Sequence, residues 1–78
     1  MKNISADTLK MIRLANGLTQ REVAKMVGYA HGHVALVEQK KVTITDKYIN
    51  RFIEALDVDE ETIQTADILR KLIVKRNQ

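Results

Sequence analysis

Residues 17–28 have the sequence GLTQREVAKMVG, which carries the clearest local signal in the chain. Thr19 and Glu22 have the spacing of a capping box, in which the threonine hydroxyl accepts from the Glu22 amide while the glutamate side chain reaches back. Gly28 has the position at which a glycine commonly ends a helix. The segment therefore predicts a short helix over about residues 19–27.

Further helices follow from caps and from apolar residues spaced one turn apart on either side of this segment. We predict helices over about residues 7–15, 19–27, 30–39, 46–56 and 60–75. Residues 42–45 alternate apolar side chains with threonine but have no partner strand, so we expect an extended loop with Ile44 turned inward. The absence of proline, the 3 glycines and the 45% hydrophobic content fit a single all-α domain over residues 1–78.

The second and third predicted helices suit a helix-turn-helix over residues 19–39. Ala24 is small at the point where the two helices would cross, and Gly28 lies in the turn. The apolar residues that would pack on the two sides of the junction are Val23, Val27, Val34 and Val37. Together with the capping box, these features indicate the motif much more strongly than any one of them alone.

The composition excludes several classes of protein. The chain has 78 residues, 13 Lys and Arg against 10 Asp and Glu, and no cysteine, so it has neither a disulfide framework nor a thiolate zinc site. His31 and His33 lie two apart on a helix and point in different directions, and no acidic pair converges with a nucleophile. We predict no enzyme activity, no metal and no cofactor.

Hydropathy argues against a membrane protein. No apolar run reaches the roughly 18 residues needed to cross a bilayer. The N-terminus lacks the apolar stretch of a signal peptide. We therefore expect a cytoplasmic protein that does not contact a membrane.

Positive charge is concentrated in the first two-thirds of the chain. Residues 1–51 contain nine basic and four acidic residues, a net charge of +5, whereas residues 52–78 contain four basic and six acidic residues, a net charge of −2. The overall net charge of +3 hides this asymmetry. Because the positive part contains the predicted helix-turn-helix, the distribution favours contact with a DNA backbone.

Residues 9–58 resemble the phage-repressor class of helix-turn-helix domains, the lambda repressor and Cro-like group of the XRE family. The resemblance rests on Gly17-Leu18-Thr19-Gln20, Val23-Ala24, Val27-Gly28, Val34, Val37-Glu38 and Ala55-Leu56-Asp57-Val58. It implies a five-helix lambda-repressor-like bundle that binds double-stranded DNA as a homodimer, with its third helix in the major groove.

The resemblance also implies roles for individual residues. The base-reading positions are His31, Gly32, His33 and Leu36. The residues that would meet the DNA backbone are Gln20, Arg21, Tyr29, Lys40, Lys41 and Lys47. Arg13 and Glu38 match positions that form a structural ion pair. Two alternatives stay open, since Tyr29 equally suits a role in covering the turn, and Lys40 and Lys41 also suit a solvated loop.

The third helix departs from the family pattern, because it has no Arg, Lys, Asn or Gln before Gln39. Those side chains make the bidentate contacts that distinguish guanine and adenine. We therefore expect sparse direct readout and a larger contribution from DNA shape.

The fifth predicted helix has more apolar surface than a domain of this size buries. We expect its inner stripe to pack against the fourth helix. The apolar residues left over are Ile68, Leu69, Leu72 and Ile73. They predict a symmetric dimer contact along residues 60–75. The alternative is a terminal helix wrapped entirely on its own protomer.

These features predict a sequence-specific transcriptional regulator, a repressor that binds a two-fold operator as a dimer in a bacterial cell or a phage-infected host. A chain of this length leaves no room for a ligand-sensing domain, so regulation would come from abundance, competition for DNA or a regulatory partner protein. The alternative is a protein-interaction module, an anti-repressor or accessory subunit, that keeps the fold without reading DNA. That alternative is motivated by the sparse third helix and by the surplus apolar surface of the fifth.

Overall fold

Five helices dominate the computed structural model, which describes residues 4–76 of the chain and their side chains as far as Leu72. The helices are α1 Ala6–Ala15, α2 Gln20–Val27, α3 His31–Glu38, α4 Asp46–Leu56 and α5 Glu60–Arg76. The sequence predicts every one of these ends to within one residue. No strand occurs within residues 4–76, and the half-buried Ile44 packs against the core from its loop. The predicted five-helix, all-α fold is confirmed.

Side-chain caps explain where the helices begin and end. The capping box of α2 is complete, since the Glu22 N–H donates to Thr19 Oγ1 at 3.0 Å and the Thr19 N–H donates to Glu22 Oε1 at 2.8 Å. Gly28 ends α2 with a φ of +76°, the left-handed conformation that suits glycine. The start of α1 comes one residue earlier than predicted, because Ser5 Oγ accepts from the Thr8 N–H and caps the helix there.

The core lies where the first four helices meet. α2 packs against α3 and α4, and α1 packs against α3. The largest fully buried apolar or aromatic side chains are Leu9 and Ile12 of α1, Val23 of α2, Val34 and Val37 of α3, and Tyr48 and Phe52 of α4. This packing fixes α3 at the edge of the bundle, with one side in the core and the other at the surface.

The main neighbour of α5 is α1, so the predicted packing of its inner stripe against α4 is wrong. A polar network joins α5 to α1, in which Arg70 Nε donates to Thr8 Oγ1 at 3.1 Å and to Asp67 Oδ1 at 2.9 Å. The Thr8 hydroxyl donates to Asp67 at 3.2 Å. Burial raises the pKa of Asp67, but hydrogen bonds from Arg70 and Lys71 outweigh it, and the pKa lies below its usual value.

None of the helices in residues 4–76 is long and apolar enough to cross a bilayer.

Candidate nucleic-acid interface

α3 turns one side to the core and the other to solvent. Val34 and Val37 are buried, with 1% and 0% of their surface exposed. On the opposite side His31, Gly32 and Leu36 are exposed. Three of the four predicted base-reading residues therefore lie on the solvent side of this helix.

His33, the fourth predicted base-reading residue, packs in an aromatic cluster with residues of the turn and of α4. Its ring stacks on the Tyr29 ring, with the centroids 4.8 Å apart and 27° between the planes. Tyr29 meets the buried Tyr48 edge to face at 5.0 Å, and the guanidinium carbon of Arg51 lies 5.7 Å from the Tyr29 centroid. The half-buried Tyr29 thus covers the turn and fixes the orientation of His33, while its own contact with a DNA backbone stays a prediction.

Glu38, at the end of α3, joins three segments through its carboxylate. Arg13 donates to both oxygens, from Nε to Oε2 at 2.7 Å and from Nη2 to Oε1 at 3.0 Å. Arg13 Nη1 also donates to the Leu18 carbonyl at 2.8 Å. Gln20 Nε2 donates to Glu38 Oε1 at 3.0 Å, which directs one of its two amide hydrogens into the protein and leaves the second for another acceptor.

An open depression lies at the N-terminal end of α2. It is lined by Arg13, Leu14, Gly17, Leu18, Thr19, Gln20, Arg21 and His31. Arg21 and His31 are exposed there, and the N-terminus of the helix adds partial positive charge. This combination suits an anion such as a phosphate group.

The three predicted backbone-contacting lysines differ in their surroundings. Lys41, in the loop after α3, and Lys47, in the first turn of α4, are exposed. Lys40 instead forms an ion pair with Asp7 of α1, with its Nζ 2.9 Å from Oδ2, and the two side chains are 63% and 34% exposed. Because exposed pairs of this kind stabilise a protein very little, Lys40 can exchange Asp7 for a phosphate at small cost.

The outer face of α5 is apolar. Ile68, Leu69 and Leu72 each keep between 45% and 59% of their surface exposed. The side chain of Ile73, the fourth predicted dimer residue, lies outside the described residues. A groove between α1 and α5, with both apolar and polar residues in its lining, continues this surface inward and includes Leu69. Exposed apolar area on a single helix is typical of an interaction site.

Sequence reasoning missed two residues beside α3. Arg51 lies over the Tyr29 ring and has its Nη1 3.5 Å from the Val27 carbonyl, a contact that exists only because α4 packs beside the turn. Gln39 is exposed at the C-terminal cap of α3, and its amide is of the type that pairs with adenine. The residue type of Gln39 is visible in the sequence, but its exposure at the end of the helix is not.

Comparisons with known proteins agree with this geometry. The sequence model of the helix-turn-helix family matches residues 9–63. The crystal structure of the restriction-modification controller protein C.AhdI from Aeromonas hydrophila is similar, with a TM-score of 0.68 and 26% identity over 74% of this chain and 88% of that chain. The wild-type restriction-modification controller protein C.Esp1396I shares the fold, with a TM-score of 0.73 and 22% identity over 86% of this chain and 87% of that chain. No functionally curated protein matches the chain. The predicted family resemblance is confirmed.

Proposed function

We propose that this chain, which belongs to the XRE-type helix-turn-helix family of DNA-binding transcription regulators, is a repressor that binds a two-fold operator as a dimer. DNA binding and transcription regulation follow from the family, which is not one of enzymes. Repression is our inference from the resemblance to the phage-repressor class, and dimerisation and operator symmetry are our inference from the surface of this chain. The observation that carries it is an exposed side of α3 with positively charged groups near both ends of the helix.

Polar and basic groups at the two ends of α3 would hold the DNA backbone. At one end, Gln20 and Arg21 lie at the N-terminus of α2 beside the open depression. At the other end, Lys41 and Lys47 are exposed. The net charge of +5 on residues 1–51 supports the same orientation toward a polyanion.

The solvent side of α3 would read the bases. His31 and Leu36 are the exposed side chains there, and Gly32 lies between them. His33 has its ring held against Tyr29, so it would contribute only through a ring nitrogen in that fixed orientation. Specific binding would combine these few contacts with the shape of the operator.

The outer face of α5 supports a dimer of two identical chains. A two-fold contact would cover Ile68, Leu69 and Leu72 of each protomer with the same residues of the other. Each of these half-exposed side chains would contribute about 1 kcal/mol to the contact that buries it. A two-fold dimer would also present two copies of α3 to the two half-sites of an operator.

The likeness to C.AhdI favours a second candidate function. That protein is a restriction-modification controller protein, and the match covers 88% of its chain at 26% identity. On this candidate the present chain controls the genes of a restriction-modification system. Its operator should then lie beside such genes, which the position of a selected binding motif in the source genome would reveal.

Selection of bound fragments from a random duplex pool tests the reading of DNA. We expect a reproducible motif with two-fold symmetry. A protein-interaction module that keeps the fold without reading DNA would yield no motif, and that outcome would overturn the proposal.

Salt dependence tests the phosphate contacts. The logarithm of the binding constant should fall linearly with the logarithm of salt concentration, with a slope of about −0.9 for each phosphate contact. The paired substitution Lys41→Ala and Lys47→Ala should make this slope less steep by about 2 per protomer. The control Lys71→Ala changes a lysine that pairs with Asp67 on α5 and should leave the slope unchanged. An unchanged slope in the paired variant would contradict these contacts.

Sedimentation equilibrium of the free protein tests the dimer. Leu72→Glu should raise the dimer dissociation constant at least about thirtyfold, since two half-exposed leucines, about 2 kcal/mol, leave the contact. Leu14→Glu is a matched control, because Leu14 lies on α1 and both leucines are 53% exposed. If both variants associate as the unchanged protein does, the outer face of α5 is not the dimer contact.

A further inference from the structure

The middle of the solvent side of α3 offers apolar surface and bare backbone, while the polar side chains of His31 and Gln39 are exposed toward its two ends. Leu36 is 39% exposed although leucine is large and apolar. Gly32 lies one turn earlier, on the same face of the helix, since residues four apart are neighbours on a helical surface. His33, which would otherwise add a polar group nearby, has its ring stacked on Tyr29.

Gly32 has no structural role that requires a glycine. It is helical, and apart from its chain neighbours and the adjacent backbone of its own helix, a Cβ built on it meets no atom of the described residues within 4 Å. Gly28 and Gly17 differ from it, because their positive φ angles of +76° and +68° are strained for other residues. Glycine is one of the poorest helix formers, so alanine at position 32 would suit the fold better. A glycine without internal cause typically allows another molecule to approach the backbone closely.

The major groove of DNA contains one apolar group, the 5-methyl group of thymine. An exposed leucine beside a bare stretch of helix is complementary to such a methyl group in both shape and polarity. The basic residues Arg21, Lys41 and Lys47 near the ends of α3 favour DNA over a protein as the molecule that covers this strip.

We propose that Gly32 and Leu36 read thymine through its 5-methyl group, with Gly32 admitting the backbone of α3 close to the base pairs and Leu36 covering the methyl group. The inference rests on the proposed function, since it needs α3 in the major groove. At the positions that face Gly32 and Leu36, the operator must supply the 5-methyl group of thymine. The operator carries thymine at a fixed place in each half-site.

Replacement of thymine by deoxyuridine in a selected operator duplex tests the inference directly, because it removes the methyl group and keeps the base pairing. At one or two positions in each half-site, each replaced thymine should weaken binding by the unchanged protein about fourfold, as expected for one buried methyl group. Leu36→Ala should bind the thymine duplex more weakly and should no longer distinguish it from the deoxyuridine duplex at that position.

Gly32→Ala tests the close approach with a readout that separates folding from binding. The variant should melt at a higher temperature, since alanine favours the helix and has open space, yet bind the operator at least tenfold more weakly. Asn50→Ala is the control, because it places the same helix-favouring residue at an exposed position of α4 and should leave operator affinity unchanged.

Different results would refute the proposed function and the reading of thymine methyl groups. A failure to select any motif removes the function itself. A motif that binds equally well with deoxyuridine at every thymine, or a Leu36→Ala variant that still distinguishes the two duplexes, overturns the reading of methyl groups while the function stands. A Gly32→Ala variant that binds as tightly as the unchanged protein overturns the role of Gly32. Loss of self-association in Leu36→Ala without DNA would assign Leu36 to a protein contact and overturn its role in DNA reading.

Discussion

Replacement of Glu38 by leucine should destabilise the fold severely, because it leaves a buried guanidinium without its carboxylate. The Glu38 carboxylate accepts two hydrogen bonds from Arg13, at 2.7 and 3.0 Å, and one from Gln20 at 3.0 Å. The side chains of Arg13 and Glu38 are 10% and 5% exposed, so water has little access to either charge. In the variant, Arg13 would retain its bond to the Leu18 carbonyl but would lose the countercharge.

The size of the loss in unfolding free energy follows from the burial of the pair of Arg13 and Glu38. Removal of one member of a buried ion pair costs about 3–5 kcal/mol. At about 0.05–0.15 kcal/mol per residue, a domain of this length has an unfolding free energy of about 4–12 kcal/mol. The variant should therefore lose at least about a quarter of its stability and melt at least about 12 °C lower. The exposed pair of Lys40 and Asp7 is the comparison, since Asp7→Asn should cost less than about 1 kcal/mol.

Urea and thermal unfolding, followed by circular dichroism, measure this cost in a double-mutant cycle. Glu38→Leu and Arg13→Met are the single variants, and the combined variant removes both charges. The combined variant should recover much of the loss, because apolar side chains of similar volume then replace the pair. The reasoning is refuted if each single variant loses less than about 1 kcal/mol, or if the combined variant loses the sum of the two single losses.

Three further substitutions give independent checks. Burial, followed by the charge of Glu38, raises the pKa of Tyr48 from 10.0 to about 12. Because the folded protein favours the neutral phenol, the unfolding free energy should be unaffected by this group below pH 10. It should fall by up to about 2 kcal/mol as the pH rises to 12. Tyr48→Phe should reduce that fall in urea titrations at alkaline pH, and an identical fall would contradict the assignment. Gly28→Ala should cost about 1–2 kcal/mol in thermal unfolding, because its φ of +76° is left-handed, and an unchanged melting temperature would contradict this. Asp7→Asn should strengthen operator binding at low salt in a titration, because it frees Lys40 for a phosphate, whereas equal affinity would mean that Lys40 does not contact the DNA.

The sequence predicts the helices closely because helix ends depend on residues three or four apart. Thr19 and Glu22 specify the start of α2 by themselves, and both of their hydrogen bonds form. The start of α5 follows in the same way from Asp59, whose carboxylate accepts from the Thr62 N–H at 2.8 Å. Ser5 is the exception, since a serine without a glutamate three residues later does not stand out from a loop serine.

The same local patterns do not predict which distant residues pair with each other. Gln20 and Glu38 are 18 residues apart, and Thr8 and Arg70 are 62 residues apart. Helical spacing indicates the face on which a residue lies, but it does not indicate which helix packs on that face. The prediction for α5 failed for this reason, because its apolar stripe fits α4 as well as α1, and the bond between Thr8 and Arg70 that joins it to α1 cannot be read from the spacing.

α3 depends on its neighbours more than on its own sequence. It has 8 residues, fewer than the roughly 12–15 at which isolated helices become stable, and it contains Gly32. Its N-terminal cap is Ala30, which has no side-chain oxygen to accept a backbone hydrogen bond. The stack on Tyr29 orients its first turn, and the pair of Glu38 with Arg13 fixes its last turn.

Because the two ends of α3 are fixed from outside, substitutions at the ends and on the solvent side should affect DNA binding in different ways. Glu38 holds the last turn of the helix whatever DNA sequence is bound, so its loss should weaken specific and nonspecific binding by similar factors. His31, Gly32 and Leu36 contribute little to holding the helix, since all three are exposed. Changes there should alter the ratio of specific to nonspecific affinity instead. The supports at both ends therefore explain how a short helix with a glycine in its first turn and no side-chain cap is kept in a fixed conformation.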